Sequence, residues 1–349
     1  LGTSRSDECA TRRVFRPPGR ARKAFWSGAS LNMTQPTTCP TRRWRGVLAV
    51  PNTPFCRDGS LDLGSLQRLA DYMAFSGTPA VLLFGVAAET GFLTEGERIV
   101  LFSTFQERSE GRYDLIVSVA ADSLAEMTRQ AKAVRHNGGM AINIRLPGGL
   151  TSAEQLHWIS AVANEGPDTI MLQDLSFHDG GFTDDLLLSA IEAIPQLVSL
   201  KIETVDSIGK IMRLRKASPR AVHFCSGHPI SSFLDALANG VDAVMPTSLT
   251  PTLCHLARLM ISGREDEARR LFSELQPLFN HMIVGLPTSI AVNKKLRVAE
   301  AVFSTDYCRF PDASKLRGGD APHVDRLVSD AVSLQARLGL HPRLQAENV

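Results

Sequence analysis

The stretch Leu197-Val198-Ser199-Leu200-Lys201-Ile202 carries a single charge inside an apolar run of strand character. An ammonium in a buried sheet is costly unless it is paired or gives up its proton. A neutral lysine amine can attack a carbonyl and form a Schiff base. The bland alternative is an edge strand whose lysine stem reaches out and leaves the charge in water. The surrounding sequence decides between the two.

Runs of this kind recur eight times, at 46–50, 80–84, 114–119, 140–144, 169–172, 198–202, 221–225 and 241–245. Amphipathic stretches of helical period separate them, at 61–76, 95–109, 122–137, 151–165, 182–195, 205–217 and 229–238. Runs that are apolar throughout, rather than alternating, predict parallel strands buried on both faces. Strand–helix alternation repeated eight times predicts an α/β fold, a (β/α)8 TIM barrel. An open doubly wound sheet is expected to carry G-x-G-x-x-G after its first strand, and the chain has none. Further helical stretches at 249–262, 264–281, 287–304 and 321–338 close the barrel and extend it. The expected organisation is a disordered basic tail over 1–43, a catalytic barrel over 44–262 and a C-terminal helical region over 263–349.

Barrels of this type place their chemistry at the C-terminal ends of the strands. Lys201 falls at the end of the sixth. Of the lysines at 23, 132, 201, 210, 216, 294, 295 and 315, only Lys201 lies in a strand run. That placement favours a catalytic amine over a snorkelling one.

Composition bounds the function from the other side. Hydrophobic residues make up 44% of 349, the range of ordinary globular chains. Charges or glycines interrupt every apolar run before it could span a bilayer, so no membrane partner is expected. The net charge of +2 conceals a basic tail: residues 1–49 hold ten Lys/Arg against Asp7 and Glu8, and the remainder is acidic. Nucleic-acid binding by the body is therefore not expected. The tail, Arg-rich and poor in acids, reads either as a transit segment or, more simply, as sequence upstream of a start at Met33. The six cysteines form no C-x-x-C pair, which fits a reducing cytoplasm. His223, His228 and Asp242 do not follow metal-ligand spacing, so neither a metal nor another cofactor is expected. Cys225-Ser226-Gly227 lacks a recognisable base and reads as strand packing and a turn.

In this register, several residues resemble a known family. They are Thr53-Pro54-Phe55 with Asp58-Gly59 and Asp62, then Gly85-x-x-x-Glu89 with Leu93-Thr94 and Glu97-Arg98. Lys201-Ile202-Glu203 follows, then Ser226-Gly227, Gly240-Val241-Asp242-Ala243, Lys294 or Lys295, and Arg309-Phe310-Pro311. In order and spacing, over about residues 44–340, the chain resembles the dihydrodipicolinate synthase / N-acetylneuraminate lyase family of pyruvate-dependent barrels. The resemblance implies an imine between Lys201 and a 2-oxo acid such as pyruvate or a 2-keto-3-deoxy sugar acid. It implies aldol addition or cleavage, or dehydration, and a homo-oligomer, dimer or tetramer.

Three departures accompany the likeness. Val86, Ala87 and Ala88 stand where the family carries two hydroxyl residues and a glycine. Arg145 stands at the position of its proton-shuttling tyrosine, and the only tyrosines are Tyr72, Tyr113 and Tyr307. The fifth strand ends Gln173-Asp174-Leu175-Ser176 instead of Tyr-Asn-x-Pro. Dihydrodipicolinate synthase activity proper is therefore not expected. The expected site has Lys201 as nucleophile and the N–H groups of Ala87 and Ala88 holding the substrate carboxylate, with Thr53 close by. Arg145, with Gln173 or Ser226, would contact the distal part of the substrate, and Asp174 is a candidate proton shuttle. Glu89 is expected to satisfy backbone donors. The competing reading is a small-molecule-binding barrel that has lost turnover.

Overall fold

The eight apolar runs form eight parallel strands closed into a barrel. The computed structural model describes residues 41, 43–176, 178–311, 313 and 321–341. The strands are β1 (Gly46–Ala49), β2 (Ala80–Leu83), β3 (Asp114–Val119), β4 (Ala141–Ile144), β5 (Thr169–Leu175), β6 (Leu197–Glu203), β7 (His223–Ser226) and β8 (Ala243–Val244). Each pairs in parallel with the next, and β8 returns to β1 through Gly46–Ala243 and Val47–Val244.

Two cores follow from strand alternation. Leu48, Leu82, Ile116, Met171, Cys225 and Met245 are among the inward residues that fill the barrel. Their outward neighbours, such as Val47, Val81, Val117, Ile142, Leu200 and Phe224, pack under the helices. Both sides of the sheet are dry, which is why the strands read as continuous apolar runs.

The helices begin where their caps say. Asp62 accepts from the Ser65 N–H at the start of α1 (Leu63–Ser76). Reciprocal capping boxes, Thr94 with Glu97 and Thr151 with Glu154, open α2 (Glu95–Ser109) and α4 (Ser152–Glu165). The ring is completed by α3 (Leu124–His136), α5 (Asp184–Ala193), α6 (Ser207–Ala217), α7 (Phe233–Ala238) and α8 (Thr250–Ile261). Three more follow: α9 (Glu265–Met282), α10 (Leu286–Ala299) and α11 (Ala321–Arg337). Among the described residues, no helix is long and apolar enough to cross a membrane.

Among the boundaries that differ from expectation, those at the barrel mouth and the tail bear on the site. Strands β5 and β6 run on to Leu175 and Glu203, past the last apolar residue of each run. The barrel mouth is lined by polar side chains, so hydrophobicity stops before the ladder does. The expected tail over 1–43 falls outside the described residues except at Thr41 and Arg43. Arg43 is not free of the body: its guanidinium grips Asp114 at 2.8 and 3.1 Å, beside the Trp44 indole N–H on the same carboxylate.

Candidate active site

Lys201 sits on β6 opposite Gln173 of β5 and Cys225 of β7, all facing the barrel interior. It is 3% exposed. Its Nζ lies 3.2 Å from Glu203 Oε2. Glu203 is two residues further along the strand, and the strand period of two puts it on the same face. Room for it is made by Gly227, since a Cβ there would lie 2.0 Å from Glu203 Oε1.

A polar chain leads away from this pair across the mouth. Gln173 Nε2 donates to Glu203 Oε2 in a short hydrogen bond. Asn143 Nδ2 donates to Gln173 Oε1 at 2.9 Å and to Ser118 Oγ at 3.2 Å. An ionised carboxylate only accepts, which turns the Gln173 amide N–H toward Glu203 and its oxygen toward Asn143. The Asn143 amide is oriented in turn, and its Oδ1, fully buried, is left without a partner among the described residues.

The second-strand loop forms a short 3-10 turn, Val86–Ala88. The Ala88 N–H is turned back onto Gly85 O at 3.0 Å, so it is not available to a substrate carboxylate, contrary to expectation. The first N–H groups of such a turn lack internal acceptors, and here those are Val86 and Ala87. The turn is held from below: Asn52 Nδ2 donates to Ala87 O at 2.8 Å and Thr53 Oγ1 to Ala88 O at 2.7 Å. Thr53 is thus a support of the loop. Glu89, at φ 56°, accepts from the Phe310 N–H at 2.7 Å and is ion-paired with Lys294, which also donates to Tyr307 O at 2.7 Å. That is the expected role for Glu89 as an acceptor of backbone donors. Thr305 on Phe55 O and Arg309 on Gly59 O and Glu97 complete this strap from the C-terminal segment.

Two expected site residues point away. Asp174 pairs in register with Ile202, on the outer face. Its Oδ2 is 2.6 Å from Lys210 Nζ and its Oδ1 accepts from the Phe182 N–H at 2.9 Å. Burial pushes its carboxyl up, with Lys210 opposing. It is no proton shuttle for Lys201. Ser226 also registers with Ile202, so it too faces outward.

Arg145 continues β4, its N–H bonded to Val119 O at 3.0 Å. Ile144 pairs with Leu172, so Arg145 falls beside Gln173, in the same layer as Lys201. It is half-buried and lines a cavity of 220 Å³ with Arg98 and Ser118. A larger opening of 450 Å³, lined by His178, Gly227, His228 and Asn293, lies over the ends of β7 and β8.

No tyrosine reaches this centre. Tyr72 OH donates to Glu300, Tyr113 OH lies against Ala70 O and Phe105 O in the outer layer, and Tyr307 is on the exposed strap. Burial pushes the Cys225 thiol up to about 12, so it is packing, not a nucleophile. His223 bonds Ser199 Oγ and Trp44 O, and Asp242 holds Arg45, Arg215 and the Phe224 N–H. Among the described residues, no group of three His, Cys, Asp or Glu is placed to hold a metal.

Residues 43–317 match the Dihydrodipicolinate synthetase family. The chain belongs to that family. Among its curated relatives, the L-2-keto-3-deoxyarabonate dehydratase of Azospirillum brasilense is 25% identical over 252 residues, covering 70% of this chain and 82% of that protein. The 4-hydroxy-tetrahydrodipicolinate synthase of Nostoc punctiforme is 24% identical over 258 residues, covering 72% and 87%. The fold matches that of the dihydrodipicolinate synthase from Rhodopseudomonas palustris, with a TM-score of 0.76 and 24% identity over 84% of this chain and 99% of that one. It also matches the Ruminococcus gnavus sialic acid aldolase, with a TM-score of 0.75 and 16% identity over 84% and 99%. Within the family frame, Glu203 is the site residue that sequence reasoning passed over, although the spacing Lys-x-Glu on one strand places both on one face.

Proposed function

We propose that the protein is a Schiff-base lyase acting on a 2-oxo acid, with Lys201 as nucleophile and Glu203 as proton carrier. The observation that carries the reading is the buried Lys201–Glu203 pair, 3.2 Å apart, on the inward face of the sixth strand. Lys201 Nζ adds to the C2 carbonyl of the acid, and loss of water from the carbinolamine leaves a protonated imine. The substrate carboxylate lies against the N–H groups of Val86 and Ala87. The imine withdraws electrons from C3, so Glu203 can take a C3 proton and leave an enamine. Returning that proton to a hydroxyl at C4 expels it as water, and hydrolysis of the imine frees Lys201. A single carboxylate that removes a proton and hands it back at the neighbouring carbon fits dehydration of a 2-keto-3-deoxy sugar acid. The dehydratase among the relatives supports the same outcome. A carboxylate here also answers the lack of a tyrosine relay.

The test is borohydride reduction with pyruvate, then mass spectrometry of the intact protein and its peptides. One reduced adduct is expected on the peptide containing Lys201, and none in Lys201→Ala. Labelling that persists in that variant sinks the assignment. Incubation with 2-keto-3-deoxy sugar acids should yield a product lighter by one water. Release of pyruvate would show an aldolase, and trapping without any product would show a barrel that binds and does not turn over.

A further inference from the structure

Resting on the imine reading, we infer that Arg145, backed by Arg98, forms a subsite for a second anionic group at the far end of the substrate, a carboxylate or a terminal phosphate. The cavity these two line has Ser118 in its wall. Ser118 is the end of the polar chain that runs through Asn143 and Gln173 to Glu203. The cavity and the lysine therefore share one wall. Two strand spacings separate the backbones of Arg145 and Lys201, roughly 10 Å. The two side chains can bracket a bound chain of several carbons.

Arg145 is the telling residue. Among the described residues, no carboxylate or carbonyl pairs with its guanidinium, although it is half-buried. A guanidinium offers five donors in a fork that matches a carboxylate or phosphate edge. Elsewhere in this chain buried and half-buried arginines have carboxylate and carbonyl partners: Arg297 has Glu300 and Thr247 O, although its Nε is unpaired, and Arg309 has Glu97 and Gly59 O. Arg98 donates to Thr90 O at 2.9 Å, and burial lowers its basicity while Glu126 and Glu95 support it. Asp122 is exposed on the rim and offsets one of the two positive charges, which leaves the cavity net cationic.

Asn143 adds a second, independent pointer. Its Oδ1 is a buried acceptor with no donor among the described residues, two residues before Arg145 on the same face of the strand. A buried carbonyl oxygen left unpaired is costly. The ligand class that fits the cationic cavity is a 2-oxo acid with an anionic terminus.

The experiment compares 2-oxoadipate with 2-oxohexanoate, which has the same length and an uncharged end. The concentration giving half-maximal borohydride trapping is read for the native protein, Arg145→Gln and Arg145→Lys. Native protein is expected to favour the diacid by about tenfold to a hundredfold, the range of one charge-assisted pair. The preference should collapse in Arg145→Gln and be partly kept in Arg145→Lys, with thermal melting confirming that both fold. A third arm, 2-keto-3-deoxy-6-phosphogluconate, separates a phosphate terminus from a carboxylate. No preference in the native protein, or one that survives Arg145→Gln, overturns the inference. Calorimetry of 2-oxoadipate binding to Lys201→Ala, with and without Arg145→Gln, needs no imine. Arg145-dependent binding there, with no trapping in the native protein, keeps the subsite and removes the lyase reading.

Discussion

Two lysines, Lys201 and Lys210, are equally buried at 3% exposure, and each faces a carboxylate. They stand back to back across one wall of the barrel. Lys210, on α6, donates to Asp174 at 2.6 Å, to Gly180 O at 2.5 Å and to Phe182 O. Its three ammonium protons are all spent, and they pin the β5–α5 loop. Lys201, on the inner face, has Glu203 alone among the described residues. Burial and a carboxylate neighbour are common to both, so these two features do not by themselves separate the lysines. What separates them is the number of unfilled donors and the face of the sheet, Lys201 being turned into the barrel and Lys210 lying outside it. A saturated ammonium is a strut, and an unsaturated one beside a carboxylate fits the proposed reagent.

The comparison breaks most decisively at Glu203. Glu203→Gln keeps the shape and the contact with Gln173 but removes the proton carrier. Turnover should fall by about 10²–10⁴-fold while borohydride trapping on Lys201 persists. Turnover within a few-fold of native would assign proton transfer to another group.

On the other side of the wall, Lys210→Met should leave Asp174 buried without its counter-ion. Unfolding in urea is expected to show a loss of about 3–5 kcal/mol, with trapping intact in the folded fraction. Pairing it with Asp174→Leu should restore part of that stability. If Lys210→Met instead removes trapping and leaves stability unchanged, the two roles have been exchanged.

The smallest effect concerns His223, one inward layer below Lys201 toward the N-terminal ends of the strands. Burial lowers its affinity for a proton in the folded state. The unfolded chain then binds more protons below the ordinary value near 6.5, so stability is full above that value and is lost as pH falls below it. The loss is at most about 1.4 kcal/mol per pH unit for one group. His223→Gln should flatten the stability profile between pH 7 and 5, and an unchanged slope would show that other groups carry it.

The barrel was legible because parallel strands buried on both faces leave an unbroken apolar trace, and Lys201 stood out against it. The strand ends were less legible, for the complementary reason. Gln173 and Glu203 belong to the ladder but line a polar mouth, so apolar character ends before the strand does. Parity along β5 separates Gln173 from Asp174, and it can be read only once the phase is anchored to Lys201 through the register. Anchored so, Glu203 is inward and Asp174 and Ser226 are outward. Lys210 lies 36 residues from Asp174, a pairing no local pattern announces. The role of Ala88 depended on the turn type, since only the geometry shows its N–H folded onto Gly85 O.

The strap over the second-strand loop has a consequence for how the molecule comes into being. Synthesis runs from the amino end, and Val244 completes the last strand while Lys294 and Phe310 are still unmade. The turn at Val86 and Ala87, the proposed seat of the substrate carboxylate, is clamped through Glu89 by those two late residues. A barrel emerging from the ribosome therefore has its staves before it has the buckle that fixes its mouth. Lys201 is in place early, and the loop proposed to seat its substrate is among the last parts to be finished.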